Sequence, residues 1–308
     1  MDEHQSVLSE EVIVGLAIEP SGFYVDATFG RGGHSGLILK NLGPEGRLLA
    51  VDQDPAAKVA AQREPFSNDS RFIFKSASFA DLQGLLMELG WLGKVSGLLL
   101  DLGVSSPQLD DPARGFSFRH SGPLDMRMNP SRGQTAAQWL NHAQENQIVQ
   151  VLQEYGEERF ARRIAREIVA ARRNKPFTET LELAEVIANA VPFREPNKHP
   201  ATRSFQAIRI FINQELTALQ TCLSQCLSIL KIGGRLAVIS FHSLEDGIVK
   251  QFIQEQARGD APDKLPLTEA QIVRRLRIIN RLIKPSAAEI DKNPRARSAR
   301  LRIAEKMA

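Results

Sequence analysis

Gly22-Phe23-Tyr24-Val25-Asp26-Ala27-Thr28-Phe29-Gly30-Arg31-Gly32-Gly33-His34-Ser35 carries a short apolar run, then a glycine-rich turn. Leu37, Ile38, Leu39 and Leu42 then begin a helical pattern. The apolar run predicts a buried strand, and glycine is needed where a backbone turns tightly and approaches a ligand with no Cβ in the way. A second predicted strand, residues 47–51, ends in Asp52-Gln53-Asp54-Pro55, where Pro55 suits the first position of a helix. A third strand is expected at 72–74, a helix at 79–89, and a fourth strand at 95–100, bounded by Asp101-Leu102-Gly103. Strands that alternate with helices and form continuous apolar runs indicate a parallel sheet covered on both faces. The expected class is α/β, with a doubly wound, Rossmann-like sheet.

The alternation stops after Gly103. The next convincing strand, 235–241, is announced by Gly233-Gly234, whereas a crossover unit needs only ~30 residues or more. A helix over 204–231 accounts for part of the excess. The remainder is too long for a loop and contains helical patterns at 136–155, 157–173 and 178–190, with Thr178 as N-cap and Pro192 as stop. An all-helical domain, 110–202, is therefore expected to interrupt a sheet domain made of 1–109 and 203–308. Past Ile248 the pattern gives a helix, a loop around 260–267, and two strand-like runs at 276–283 and 299–303 with no clear helix between them. An antiparallel pair closing the sheet edge is expected, a feature typical of methyltransferases and unusual for dehydrogenases.

Composition narrows the class. The 308 residues are 43% hydrophobic and 24% charged, enough for a sizeable core and unlike a disordered or low-complexity chain. No run approaches the ~18 apolar residues of a membrane span, and Met1 to Glu10 lack a leader's apolar segment. Two cysteines, Cys222 and Cys226, exclude a disulfide framework and sit among leucines as helix packing, so a reducing, cytoplasmic setting is expected. Six histidines form no ligand pair, and no metal site is expected. Residues 271–308 hold eleven Lys and Arg against three Asp and Glu, a local +8 in a chain of net +3. Such a block is either a solvated face or a phosphate-contacting surface.

Asp52 stands at the end of the second strand, where a carboxylate can accept both hydroxyls of a ribose. The dinucleotide fingerprint is incomplete, because Ser35 occupies the third glycine position. A nucleoside cofactor without a pyrophosphate fits better, and S-adenosylmethionine is such a ligand. A nucleotide-dependent oxidoreductase on the same sheet is the competing class. His34, taken alone, suits a polar contact at a helix start.

Longer motifs are specific. Asp101-Leu102-Gly103-Val104-Ser105-Ser106-Pro107-Gln108-Leu109-Asp110, Gly115-Phe116-Ser117-Phe118 and Gly122-Pro123-Leu124-Asp125-Met126-Arg127-Met128 follow the glycine loop. Later come Tyr155-Gly156-Glu157-Glu158, Pro200-Ala201-Thr202-Arg203-Ser204-Phe205-Gln206, Val238-Ile239-Ser240-Phe241-His242-Ser243-Leu244-Glu245-Asp246 and Asn293-Pro294-Arg295-Ala296-Arg297-Ser298-Ala299. Together, from His4 to Arg302, they resemble the bacterial RsmH (MraW) family of S-adenosylmethionine-dependent methyltransferases, with small departures at Ser6, Ser121 and Gly247. The resemblance implies N4-methylation of a cytidine in 16S ribosomal RNA, cytidine 1402 of the decoding region in the standard ribosomal numbering, with assembled small ribosomal subunits as partner. It implies that Gly32, Gly33 and His34 cradle the methionine end of S-adenosylmethionine, that Asp52 takes the ribose and Phe79 the adenine, and that Asp101 and Gln108 complete the set.

Attack by an exocyclic amine needs positioning and a proton acceptor rather than a cysteine adduct. Asp101 is the first candidate for that catalytic role and His242 the second, with a structural hydrogen bond at a strand end as the alternative for His242. A base inside folded RNA must be exposed before it reacts. Three basic regions are expected to grip the RNA: Arg114, Phe116, Phe118, Arg119, Arg127 and Arg132; Arg159, Arg162, Arg163 and Arg166; and the tail. A non-catalytic RNA-binding assembly factor is the remaining alternative.

Overall fold

The computed structural model describes residues 6–193, 199–259 and 273–307. Seven strands, β1 (Phe23–Asp26), β2 (Arg47–Asp52), β3 (Phe72–Ser76), β4 (Val95–Asp101), β5 (Leu230–Ser240), β6 (Leu276–Ile283) and β7 (Arg300–Lys306), form one sheet in the order β3-β2-β1-β4-β5-β7-β6. β1 to β5 are parallel, and β7 runs antiparallel to both β5 and β6. Alternate side chains fill two cores. Leu49, Val51, Leu98, Leu100 and Val238 join one with Leu223, Val249 and Ile253. Leu48, Ala50, Leu99 and Ile239 join the other with Val12, Leu16, Ile38 and Ala57. Each fully buried Leu or Ile contributes about 1.5–3 kcal/mol. The expected α/β class, with its antiparallel closing strand, is the fold observed.

The chain divides into a sheet unit, Met1–Gly103 with Leu216–Ala308, and a helical unit, Val104–Glu215. The junctions differ from 110 and 202 because Val104 and Leu109 pack against the helical core, and helix Thr202–Asn213 buries Phe205, Ala207 and Ile208 in it. Trp139, Ile148, Leu152, Ile164, Ile168, Leu183 and Ile187 make up much of the rest of that core.

Several predicted helices are broken. The 204–231 helix is two, Thr202–Asn213 and Glu215–Ile229, parted at Gln214 with φ 51°. The break is held from both sides. Asn213 Nδ2 donates to the Met126 and Arg209 carbonyls at 2.7 and 2.9 Å, and the Arg209 guanidinium grips both Glu215 oxygens at 2.8 Å. Residues 136–155 likewise form Ala136–His142 and Glu145–Gly156, each started by its own capping box, Thr135 with Gln138 and Gln144 with Gln147. Helix Thr180–Ala190 starts from a Glu179–Glu182 box rather than from Thr178, whose amide instead donates to Glu182. The 79–89 stretch opens as a tight turn at Phe79–Asp81 before helix Leu82–Glu88. A short helix, Ala287–Lys292, lies between β6 and β7 where none was expected. β5 starts at Leu230, before the glycine pair, with its register shifted until Arg235. The loop expected at 260–267 lies outside the described residues. Among them, no helix is long and apolar enough to cross a membrane.

Candidate functional site

The carboxyl ends of β1, β2 and β4 carry Asp26, Asp52 and Asp101, and ligands of doubly wound sheets bind at this edge. The glycine loop leaves β1 with Gly30 at φ 54° and Gly32 at φ 82°, backbone that glycine adopts without strain. A Cβ on Gly32 would run into the Phe66 and Phe29 rings, and one on Gly33 into the Ser6 hydroxyl. Phe29 packs edge-on against Phe66 and Phe74, with ring centroids 5.1 and 5.4 Å apart, so an aromatic cluster backs the loop. The loop ends in helix Gly33–Asn41, which starts without a side-chain cap, so its amino end is available to an anionic group.

Ser35 has a specific task. Its hydroxyl donates to Asp26 Oδ2 at 2.7 Å, while Asp26 Oδ1 accepts the Thr28 amide at 3.2 Å. Burial raises the Asp26 pKa against these bonds and the nearby His34. Thr28 Oγ1 in turn accepts the Asp101 amide at 2.6 Å, tying the loop to the end of β4. Asp52 Oδ2 accepts the Gly30 amide at 2.8 Å and Oδ1 the Asp54 amide at 2.9 Å. Burial nonetheless pushes the Asp52 carboxyl up to about 6.

His34 is 5% exposed, and its Nε2 lies 3.5 Å from Asp101 Oδ2. At that length the contact is chiefly an ion-pair contact rather than a tight hydrogen bond. Burial disfavours the imidazolium, but Asp101 and Asp26 outweigh it and raise the His34 pKa. Both ring nitrogens of His34 and Asp101 Oδ1 are buried without a hydrogen-bond partner among the described residues. Orphaned buried groups of this kind are costly and fit a polar ligand.

The structure thus brings Gly32, Gly33, His34, Asp52 and Asp101 to one edge of the sheet unit. Phe79 is partly buried in the turn that follows β3. Gln108 belongs to the helical unit, is 6% exposed, and accepts the Ser105 amide at 2.8 Å in the capping box of helix Ser106–Asp110. His242 is the N-cap of helix Ser243–Arg258. Its Nδ1 accepts the Glu245 amide at 3.4 Å and its Nε2 faces Glu245 Oε1 at 3.1 Å, while Glu245 Oε2 takes the Phe241 amide at 2.9 Å. The Asp26–Ser35 and Thr28–Asp101 bonds and the aromatic backing were not anticipated. Ser35 itself, in place of a glycine, was the available signal.

The first expected basic region is largely structural. Arg114 donates to the Arg127 and Met128 carbonyls at 3.1 and 2.9 Å, and Arg127 holds Asp125 at 2.7 and 2.8 Å. Phe116 is buried in the helical core, and Phe118 packs on Phe205 with centroids 4.7 Å apart. Arg119 and Arg132 remain exposed, as do Arg159, Arg162, Arg163 and Arg166 on and just before helix Ala161–Asn174. In the tail, Arg300 and Arg302 are bound to Asp246 at 2.9 and 2.6 Å. Cys222 and Cys226 are buried, and burial pushes the Cys222 thiol up to about 12.

The family model described as the MraW methylase family matches residues 1–307. The ribosomal RNA small subunit methyltransferase H of Coxiella burnetii (strain RSA 331 / Henzerling II) is 57% identical over 307 residues, covering 100% of both chains. The protein of the same name from Thioalkalivibrio sulfidiphilus (strain HL-EbGR7) is also 57% identical over 307 residues, covering 99% of this chain and 98% of its own. A solved rRNA methylase from Streptococcus thermophilus shares 11% sequence identity with a TM-score of 0.41, over 97% of this chain and 95% of that one.

Proposed function

The chain belongs to the MraW methylase family, and from that premise we propose that it methylates N4 of a cytidine in 16S ribosomal RNA, cytidine 1402 of the decoding region, with S-adenosylmethionine as methyl donor. The observation that carries the reading is the pair of orphaned buried groups, His34 and Asp101, beside an uncapped helix start at the ligand edge of the sheet. An amino-acid moiety has the matching charges: a carboxylate for the helix amides and the His34 imidazolium, an ammonium for Asp101. Asp52 offers a remaining lone pair on each oxygen to ribose hydroxyls, and Phe79 an aromatic face to a base. When bound, S-adenosylmethionine supplies an electrophilic sulfonium methyl.

The N4 lone pair of cytosine is delocalised into its ring, so the protein's work is alignment and proton acceptance. Asp101 Oδ1 is the acceptor the geometry favours. Among the described residues it has no partner, so one of its lone pairs can take the cofactor ammonium and the other the amine, while Oδ2 is steadied by His34. A hydrogen bond from the amine to Oδ1 orients the lone pair; as the new C–N bond forms and the methyl's bond to sulfur breaks, with its electron pair staying on sulfur, the N4 proton leaves toward that carboxylate. His242 Nδ1 holds the turn after β5 by capping Glu245, while its buried Nε2, near Glu245 but without a hydrogen-bond partner among the described residues, makes His242 the second candidate acceptor.

The helical unit is the RNA-recognition module in this reading, with the exposed Arg159, Arg162, Arg163 and Arg166 as its phosphate contacts. Assembled small subunits in the cytoplasm are the preferred substrate, because the decoding region forms late. The test is to incubate the protein with labelled S-adenosylmethionine and small subunits lacking the modification, then map the label. Label at N4 of that cytidine is expected, whereas label at another atom, or none, overturns the assignment.

A further inference from the structure

A cavity of about 410 Å3 opens between helix Ser243–Arg258 and β6. That volume lies within the range of small-molecule sites, about 300–1,000 Å3. Lys250, Arg281 and Arg302 line it with Gln254, Asn280, Leu282, Ile253 and Ile278, and no carboxylate is among them. Lys250 and Arg281 are exposed, with no acid partner among the described residues, whereas Arg302 is held by Asp246.

β6 is built for this cavity. On a regular strand successive side chains point to opposite faces, so Asn280, Arg281 and Leu282 could not all line one space. Here the pairing with β7 slips between Ile278 and Asn280 and again between Asn280 and Ile283, and all three residues line the cavity. Bulges of this kind re-aim side chains beside functional sites. The bulged turn is braced by a hydrogen bond from Arg302 Nη1 to the Arg281 carbonyl.

The cavity lies on the same sheet as the proposed reaction site. Asn280 pairs in register with Ile303, Ile303 with Ala237, and Ala237 with Leu99, two residues before Asp101. Three strand spacings across and two residues along place this part of β6 about 16 Å from the end of β4. At the 3.4 Å rise of a stacked strand, that is about four or five nucleotides, and fewer if the strand is extended.

We propose that this cavity is a subsite for a nucleotide flanking the methylated cytidine, its phosphate held by Lys250 and Arg281 and its base lying on Ile253 and Ile278 within reach of the Gln254 and Asn280 amides. The proposal rests on the RNA reading above. Cations without a carboxylate disfavour a metal ion, and the apolar floor with flanking amides suits a base as well as a phosphate.

The test compares the parent with a Lys250→Gln/Arg281→Gln double variant and with Gln254→Glu, which places a negative charge in the cavity from the helix without touching the bulged strand. Binding of a 16S rRNA fragment spanning the target is measured across a salt series, with methylation kinetics on small subunits and cofactor affinity by calorimetry. Both variants should raise the KM for RNA about 3- to 10-fold with kcat and cofactor affinity unchanged. The double variant should also flatten the log–log salt slope by about 0.7 to 1.4. A photoreactive nucleotide about four positions from the target should cross-link to β6 in the parent and not in the double variant. Unchanged KM and slope in the variants, alongside a parent that methylates the RNA, overturn the subsite alone. So does binding of an acidic peptide that the variants lose while RNA binding stays intact. A parent that methylates no small subunit overturns the functional reading first.

Discussion

His34 Nε2 sits 3.5 Å from Asp101 Oδ2, and the pair joins the start of helix Gly33–Asn41 to the end of β4. Because the His34 pKa is raised, the charged pair stabilises the fold fully below the unfolded value of 6.5 and loses that contribution as pH rises through the folded value. Asp101→Asn removes the partner that opposes burial, so the His34 pKa should fall, read by NMR titration of the ring. With saturating cofactor, kcat should drop about 10²- to 10⁴-fold while RNA affinity stays within twofold. A near-parental kcat would remove Asp101 from proton acceptance.

Asp52 gives a pH dependence of opposite sign for folding and for ligand binding. With its carboxyl up at about 6 against 3.8 unfolded, ionisation costs stability as pH rises through that window, so this group favours the free protein on mild acidification. Protonation removes an acceptor from the ribose site, so cofactor affinity should weaken as pH falls below about 6. Calorimetry at pH 5 to 8 should show that acid-side loss in the parent and not in Asp52→Asn. Asp52→Ala should bind cofactor about 10- to 100-fold more weakly at neutral pH, the effect of losing a charge-assisted hydrogen bond.

Arg162 and Arg163 are adjacent and exposed on helix Ala161–Asn174. Replacing both with Gln should lower the salt slope of RNA binding by roughly 0.7 for each phosphate no longer neutralised. The thermal midpoint should not move, because neither side chain is in the helical core. An unchanged slope would make this face merely solvated.

The tail arginines should separate into two groups. Asp246 is 6% exposed and takes both Arg300 and Arg302. Burial opposes its ionisation, but the two guanidinium groups hold its carboxyl below the usual range. That stability is present above pH 3.8 and lost as pH falls through the depressed value. Arg302→Gln should therefore destabilise the sheet unit by about 2–3 kcal/mol in denaturant melts. Arg297→Gln, at an exposed position, should leave stability unchanged and affect only RNA binding.

The sheet was legible because a buried parallel strand is a continuous apolar run, as in Leu48 to Val51 and Leu98 to Leu100, and no other element writes itself so plainly. Helix breaks were not legible. Gln214 and Ala143 have no intrinsic need to interrupt a helix, and what holds the break at Gln214 is a pair of contacts, one from Asn213 to the distant Met126 and one from Arg209 to Glu215 across the break. The site shows the same division. Glycines that require positive φ announce themselves, as Gly32 does. A hydroxyl that holds a neighbouring carboxylate, as Ser35 does for Asp26, looks in sequence like a missing glycine. The basic stretch after Asp110 misled for a related reason: a guanidinium that satisfies loop carbonyls, as Arg114 does, has the same letter as one that binds phosphate.

The helical unit interrupts the chain between two strands that are neighbours in the sheet, since β4 ends at Asp101 and its parallel partner β5 begins at Leu230. Joining them through an unstructured chain of that length closes a large loop, and the entropy cost rises with the logarithm of its length. A helical unit with its own core can form first. It then turns that long loop into a short one, lowering the closure cost by about 2 kcal/mol for an eightfold shortening. The inserted unit would thus set the order of assembly, with the sheet waiting on the helices for its central pairing.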